Sequence, residues 1–179
     1  MKSKALWVTQ TAVMLALLIV LQWLTKPLGQ IVTGSCVNAV LAVTVLLAGL
    51  SSGVTVALLS PMFAYLLGIA PQILTVPAIM VGNTVFVVLL RLLWGKAIWK
   101  SVLGLLAAAV SKFAILYVLV TYVICGLLAQ PLLAQGLLKE PMLKALPTTF
   151  STPQLVTALI GGAVALLIVP VLKKALRKA

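Results

Sequence analysis

Long apolar runs dominate this chain, and most of them approach the length that a helix needs to cross a lipid bilayer. Of the 179 residues, 64% are hydrophobic and only 8% are charged. A soluble domain needs more polar surface than this to cover its core, so lipid is the expected solvent for most of the chain. Because the runs are continuous and do not alternate in polarity, they favour helices over a β-barrel.

The division of these runs predicts an all-α integral membrane protein, with six transmembrane helices in a single domain that covers residues 1–179. The approximate spans are 6–24, 35–50, 53–67, 76–94, 101–127 and 153–172. The second and third spans are short. The small polar segment Ser51-Ser52-Gly53 predicts a tight turn between them.

The distribution of charge predicts the orientation of these spans. Thirteen Lys and Arg residues accompany a single acid, Glu140. With both termini in the cytoplasm, nine cations lie inside and three outside. The inner set is Lys2, Lys4, Arg91, Lys96, Lys100, Lys173, Lys174, Arg177 and Lys178, and the outer set is Lys26, Lys139 and Lys144. The tryptophans Trp7, Trp23, Trp94 and Trp99 fall near span ends, as interfacial anchors do.

Nucleic acid is not an expected partner, because the cations are scattered among apolar runs.

The residues that most membrane enzymes and proton-coupled carriers use are missing from the sequence. It has no His and one acidic residue, so it lacks the carboxylate pairs, metal ligands and proton relays of such proteins. Gly95-Lys96 is followed by Ala97 and is not a P-loop. We therefore expect no catalysis, no metal and no cofactor.

Cys36 and Cys125 could approach each other or remain separate buried thiols.

Five short segments, in this order on the six-helix frame, resemble the substrate-binding S component of energy-coupling factor (ECF) transporters. They are Ala12-Val-Met-Leu-Ala16, Ile31-Val-Thr-Gly-Ser-Cys-Val-Asn38, Leu59-Ser-Pro61, Val81-Gly-Asn-Thr84 and Thr152-Pro-Gln-Leu-Val-Thr-Ala-Leu-Ile-Gly-Gly162. The resemblance covers nearly the whole chain. It implies high-affinity capture of a vitamin or related small water-soluble micronutrient at a prokaryotic plasma membrane. A transmembrane coupling protein and two ATPase subunits would then drive uptake.

Two other functions remain open on the sequence alone. One is a stand-alone channel or carrier for a small solute, which would work without ATPase partners. The other is a membrane assembly protein that transports nothing and binds no ligand.

A pair of small residues, Ala12 and Ala16, lies on one face of the first predicted helix. Residues four apart share a helix face, and small side chains there permit another helix to approach closely. In a chain rich in alanine, such spacing also arises by chance. The family resemblance implies that this pair is a docking face for the transmembrane coupling protein.

Lys112 is the one cation deep inside a predicted span. Burying an ionisable group there costs at least about 2.5 kcal/mol on insertion scales, and no span contains an acid to pair with it. One interpretation is that Lys112 attracts an anionic group of the substrate, such as a carboxylate. The other is that its side chain extends to the cytoplasmic face, because Ser101 lies only roughly 16 Å away along the helix.

Other polar residues could complete a binding site. The amides of Asn38 and Asn83 can both donate to and accept from a ligand, or can satisfy nearby backbone groups. Tyr122 is eleven residues from Ser111, close to three helical turns, and is therefore expected to share a face of the fifth span with it. Gln154 is expected near an outer opening or as a cap of the sixth helix.

The two outer connections, 25–34 and 128–152, contain several Pro and Gly residues and can fold over a pocket. In the resembling family, outer loops help to enclose the ligand. This implies roles for Gln30, Thr33 and the segment Pro147-Thr148-Thr149-Phe150, which could otherwise only tether helices. Pro61 predicts a kink in the third span. Such a kink could shape a cavity or could serve helix packing alone.

Overall fold

The computed structural model describes residues 4–70, 72–95 and 97–176, and helices make up most of these ranges. The α-helices are α1 (Lys4–Thr25), α2 (Gln30–Leu47), α3 (Leu50–Leu66), α4 (Val76–Leu93), α5 (Ile98–Tyr117), α6 (Ala129–Ala134), α7 (Glu140–Thr149) and α8 (Thr152–Leu176). Short 3-10 turns occupy Lys26–Leu28 and Ile73–Thr75, and a π-helix, Val118–Leu127, continues α5. No strand occurs in the described ranges, which confirms the all-α prediction for them.

Five helical segments of the described chain are long and apolar enough to cross a membrane. They are Lys4–Leu28, Gln30–Leu47, Ile73–Leu93, Ile98–Leu127 and Glu140–Ala175. The apolar helix Leu50–Leu66 is shorter. Six crossings with both termini in the cytoplasm therefore stay a prediction. Of the cations used to orient the spans, Lys2, Lys96, Arg177 and Lys178 lie outside the described residues.

The turn between α2 and α3 lies at Ala48 and Gly49, so its predicted position at residues 51–53 was wrong. Gly49 has a φ of 104°, a backbone conformation that residues with a Cβ rarely adopt. Ser52 lies in the first turn of α3, where its hydroxyl is 2.8 Å from that of Thr11 on α1. The small residues of this segment thus serve helix packing: a Cβ on Gly53 would lie 2.7 Å from the Cβ of Val45.

Both outer connections are more helical than the sequence indicated. Gln30 and Thr33, expected in a loop, form the first turn of α2, which follows Gly29 with its φ of 85°. The connection after residue 128 folds into α6 and α7. An apolar cluster then buries this region against the π-helix; its members are Ala78, Leu116, Val120, Ile124, Leu138, Leu146 and Phe150. Burial of these side chains explains why a segment so rich in proline is still ordered against the bundle.

The main core fills the other half of the bundle. Residues of α1, α2, α3, α4, α5 and α8 contribute to this core. Its most buried large side chains are Leu18, Leu41, Val45, Val56, Phe86, Val87, Leu90 and Val169. Glycine permits the closest approach between α2 and α8, since a Cβ on Gly161 would lie 2.5 Å from the carbonyl oxygen of Ser35. Close packing therefore fills this half of the bundle, with a few buried polar side chains such as the hydrogen-bonded pair Thr11 and Ser52 within it.

Candidate ligand-binding cavity

A cavity of about 330 Å³ opens in the half of the bundle where α2, α4 and α8 begin and α1, α3 and α7 end. Its walls combine apolar side chains with amides, hydroxyls and two lysines. The lining residues are Gln22, Lys26, Gly29, Gln30, Thr33, Gly34, Val37, Asn38, Ser60, Pro61, Ala64, Ile69, Ala70, Ile79, Asn83, Lys112, Thr149, Phe150 and Gln154. A mostly apolar concavity with a few convergent polar groups is typical of a small-molecule site.

Lys112 lies at the inner end of this cavity and is only 2% exposed. Its ammonium nitrogen donates hydrogen bonds to Asn38 Oδ1 at 2.6 Å and to Asn83 Oδ1 at 2.7 Å. The same nitrogen is 5.5 Å from the centre of the Phe86 ring. Lys112 therefore points into the bundle and does not extend to its end, and a contact of this residue with a substrate stays a prediction.

Glycine allows α4 and α5 to approach closely next to Lys112. A Cβ on Gly82 would lie 2.7 Å from Cγ of Leu116, which is one helical turn beyond Lys112. Without that Cβ, α4 packs directly on α5, and the neighbouring Asn83 reaches the lysine.

The amide of Asn38 is held in a fixed orientation. Its Nδ2 donates to the Gly34 carbonyl at 2.9 Å and to Thr157 Oγ1 at 3.3 Å, and its Oδ1 accepts from Lys112. The predicted bonding of Asn38 to a backbone group is confirmed at the Gly34 carbonyl, and its contact with a ligand stays a prediction. Because α2, α5 and α8 meet at this amide, the position of the Lys112 amine depends on all three.

Three further predicted residues meet around the cavity opening. Gln30 and Gln154 direct their Nε2 atoms at the same carbonyl, that of Thr149, at 2.9 Å and 3.5 Å. Thr33 is buried and donates to the Thr25 carbonyl at 2.9 Å. The two glutamine bonds join α2 and α8 to the end of α7, where Thr149 and Phe150 line the cavity, and the Thr33 bond joins α2 to the end of α1. Pro147 and Thr148, from the same predicted segment, do not line it.

Two polar atoms of the lining have no hydrogen-bond partner although they are buried. They are Oε1 of Gln22, whose residue is 5% exposed, and Oγ of Ser60, whose residue is 1% exposed. Buried polar atoms are nearly always hydrogen-bonded, so these two are candidates to meet a bound molecule. The sequence analysis missed both. An amide inside the apolar run of the first helix was the available signal for Gln22.

Three other predictions concern residues that lie outside the cavity lining: Tyr122, the alanine pair of α1 and the two cysteines. Tyr122 is 60% exposed and does not line the cavity. Its shared face with Ser111 assumed a regular α-helix, whereas residues from Val118 onwards form a π-helix with a different number of residues per turn. Ala12 and Ala16 are exposed on α1 and outside the cavity lining. Cys36 and Cys125 are both free thiols.

Comparison with known proteins gives one match. The family model for the substrate-specific component of ECF transporters matches residues 7–173. No curated protein and no solved structure gives a significant match to the chain. The matched range includes every residue that lines the cavity.

Proposed function

The chain belongs to the family of ECF transporter substrate-specific components, and we propose that it captures a vitamin or related small water-soluble micronutrient with high affinity. Members of this family are multi-pass membrane subunits that bind substrate for an ECF transporter and are not enzymes. The ATPase activity lies in other subunits, which work with a transmembrane T component. For this chain we propose two ATPase subunits and the plasma membrane of a prokaryote.

The observation that carries the proposal is the cavity with Lys112, Asn38 and Asn83 at its inner end. Its volume of about 330 Å³ suits a small molecule and is at the low end of known ligand pockets. The unpartnered acceptor on Gln22 and hydroxyl on Ser60 supply further polar contacts. These groups can bind a water-soluble compound inside a protein that is otherwise surrounded by lipid.

The proposed topology places the cavity opening outside the cell. Of the described cations assigned to the inner side, Lys4, Arg91, Lys100, Lys173 and Lys174 are all exposed, and each lies near the end of its helix that is remote from the cavity. Lys26, assigned to the outer side, lines the cavity itself. A nutrient would thus reach Lys112 from outside.

Tight packing beyond Lys112 favours capture over a stand-alone channel or carrier. Phe86 contacts the lysine from the inner side, and Phe86, Leu90, Val45 and Val56 are each at most 1% exposed. Around these described residues, side chains packed in this way leave no room for a water-filled path. Release inward therefore requires helix movement, which we assign to docking on the T component through the exposed Ala12 and Ala16 face of α1. A membrane assembly protein would have no use for a buried cation beside a cavity.

Reconstitution tests this function directly. The purified chain is placed in liposomes alone or with a T component and two ATPases, with ATP inside and a mixture of water-soluble vitamins outside. We expect a vitamin to accumulate inside, as measured by mass spectrometry, only when the chain and the ATPase module are both present. Accumulation with the chain alone would establish the channel or carrier instead, and no accumulation in any sample would contradict the proposal.

A further inference from the structure

The charge of Lys112 has no counterpart in the protein around it. Among the described residues it is the one buried charged side chain, and every other described Lys and Arg is exposed. The only acid of the chain, Glu140, is exposed at the start of α7. Buried charges in proteins are ordinarily paired, because an uncompensated ion loses its hydration without recovering it. No acid among the described residues lines this cavity, so a bound ligand is the available source of a compensating negative charge.

The hydrogen bonds of Lys112 leave room for such a group. An ammonium has three N–H donors, and two of them point to the oxygens of Asn38 and Asn83. These oxygens are ends of neutral amide dipoles, so they orient the cation and do not neutralise it. The third donor remains for a group in the cavity that Lys112 lines.

The rest of the lining favours an anion as well. It includes two lysines, Lys112 and Lys26, and no acidic residue. Lys26 is exposed and donates to the Leu67 carbonyl at 3.2 Å, so its charge lies at the opening. A concave site lined by charge of one sign attracts ligands of the other sign.

Gln22 places a second requirement on the ligand. The atom without a partner is its amide oxygen, which can accept a hydrogen bond but cannot donate one. In the orientation that the Gln22 amide has here, a ligand hydroxyl or N–H would satisfy this oxygen. Ser60, whose hydroxyl also lacks a partner, can either donate or accept.

We propose that the cavity binds a small monocarboxylate that also carries a hydroxyl or N–H donor, with the carboxylate on Lys112 and the donor on Gln22. This inference rests on the proposed capture function. One ammonium balances one carboxylate charge. A phosphate monoester carries about 1.5 to 2 negative charges at neutral pH, so its second charge would depend on Lys26, which is exposed and donates to the Leu67 carbonyl at the opening.

The first test identifies what the protein carries. The full chain is purified from cells grown in rich medium and denatured, and the released small molecules are identified by mass spectrometry. We expect a monocarboxylic acid in an amount comparable to the protein. A phosphate ester, or a neutral or cationic compound, at that level would overturn the carboxylate inference and leave capture intact. Release of no small molecule would contradict the capture function together with the inference that rests on it.

A second test asks whether Lys112 holds the carboxylate. The probes are the released acid and its uncharged methyl ester, and affinity is measured on protein emptied of ligand. We expect the wild type to prefer the acid at least about tenfold, because a charge-assisted hydrogen bond is lost in the ester. Asn83→Asp places a carboxylate at the atom that is now 2.7 Å from the Lys112 amine. It should therefore satisfy the lysine internally and abolish the preference for the acid.

Two variants complete this experiment. Lys112→Met should also lose the preference for the acid, whereas Lys144→Met, which removes an exposed cation outside the cavity lining, should keep it. If Lys112→Met does not fold, Asn83→Asp still decides, since it retains the lysine and keeps the shape of the side chain. An unchanged preference for the acid in Asn83→Asp would overturn the assignment of the carboxylate to Lys112.

Discussion

Lys112 is positioned by two amide oxygens that come from distant parts of the chain, 74 and 29 positions away. The sequence identified all three residues as polar groups within or next to apolar runs. It could not show that they meet, because that depends on the rotation of α2, α4 and α5 about their own axes. The partners of Asn38 on α8 are equally invisible in the sequence. Polar residue types could thus be predicted, and their network could not.

Replacing Asn38 by Ala should destabilise the protein and weaken ligand binding. The change removes one acceptor of Lys112 and the bonds to Gly34 and Thr157. Leaving a buried charged donor short of a partner costs about 1 to 3 kcal/mol. Thermal unfolding in detergent measures the effect. Ser35→Ala is the control, because that hydroxyl bonds only to the Ile31 carbonyl of its own helix; an equal loss in both variants would contradict the network.

Replacing Gln22 by Leu should have opposite effects on stability and on binding. The change removes a buried acceptor that has no partner in the protein, so the emptied protein should unfold at the same or a higher temperature. Retention of the natural ligand should fall, because its donor loses the amide oxygen. Comparing the melting temperature of emptied protein with the amount of compound released on denaturation separates these effects. A lower melting temperature with full retention would assign Gln22 to structure and not to the ligand.

At the scale of helices, hydrophobic length predicted most elements and local geometry corrected several details. The fourth predicted span, 76–94, agrees closely with α4, Val76–Leu93. The turn after α2 was misplaced, because small polar residues serve both turns and close helix contacts and only the backbone angle of Gly49 separates the two uses. Tyr122 was assigned to the site because a π-helix leaves no clear signal in apolar residues.

The contact between α4 and α5 at Gly82 is a clear target for a test at this scale. Gly82→Ala introduces a Cβ at 2.7 Å from Leu116 Cγ, which should push the helices apart and move Asn83 from Lys112. Overpacking of this kind costs about 1 to 3 kcal/mol. We expect a lower melting temperature and weaker ligand retention. Gly126→Ala is the matched control, since its Cβ would meet only the Thr121 carbonyl oxygen, at 3.5 Å; equal behaviour of the two variants would argue against the close contact.

At the scale of the whole molecule, the cavity and the main apolar core are separated along the bundle. The cavity and its amides occupy one half, and the main apolar cluster occupies the other. The proposed capture at one side of the membrane depends on this division. Apolar length and charge predicted the membrane class, but the cavity exists only through the joint packing of seven helices and was not visible in any one segment.

The exposed face of α1 with the small residues Ala12 and Ala16 is the proposed contact of the whole molecule with its T component. Ala16→Leu fills that face while remaining far from the cavity lining. We expect normal ligand retention and loss of ATP-driven uptake in liposomes, because a larger side chain prevents close helix docking. Leu17→Ile, an exposed change about 100° around the same helix from Ala16, should leave uptake intact. Full uptake by Ala16→Leu would place the docking face elsewhere.

The central claim is that the cavity beside Lys112 is where the nutrient is captured. An experimental structure of the chain loaded with its co-purified compound tests it most directly. The account predicts that the compound fills the cavity, with an acidic group within hydrogen-bonding distance of the Lys112 amine and a donor facing Gln22. A compound bound at any other place, or bound in the cavity with no contact to Lys112, would contradict it.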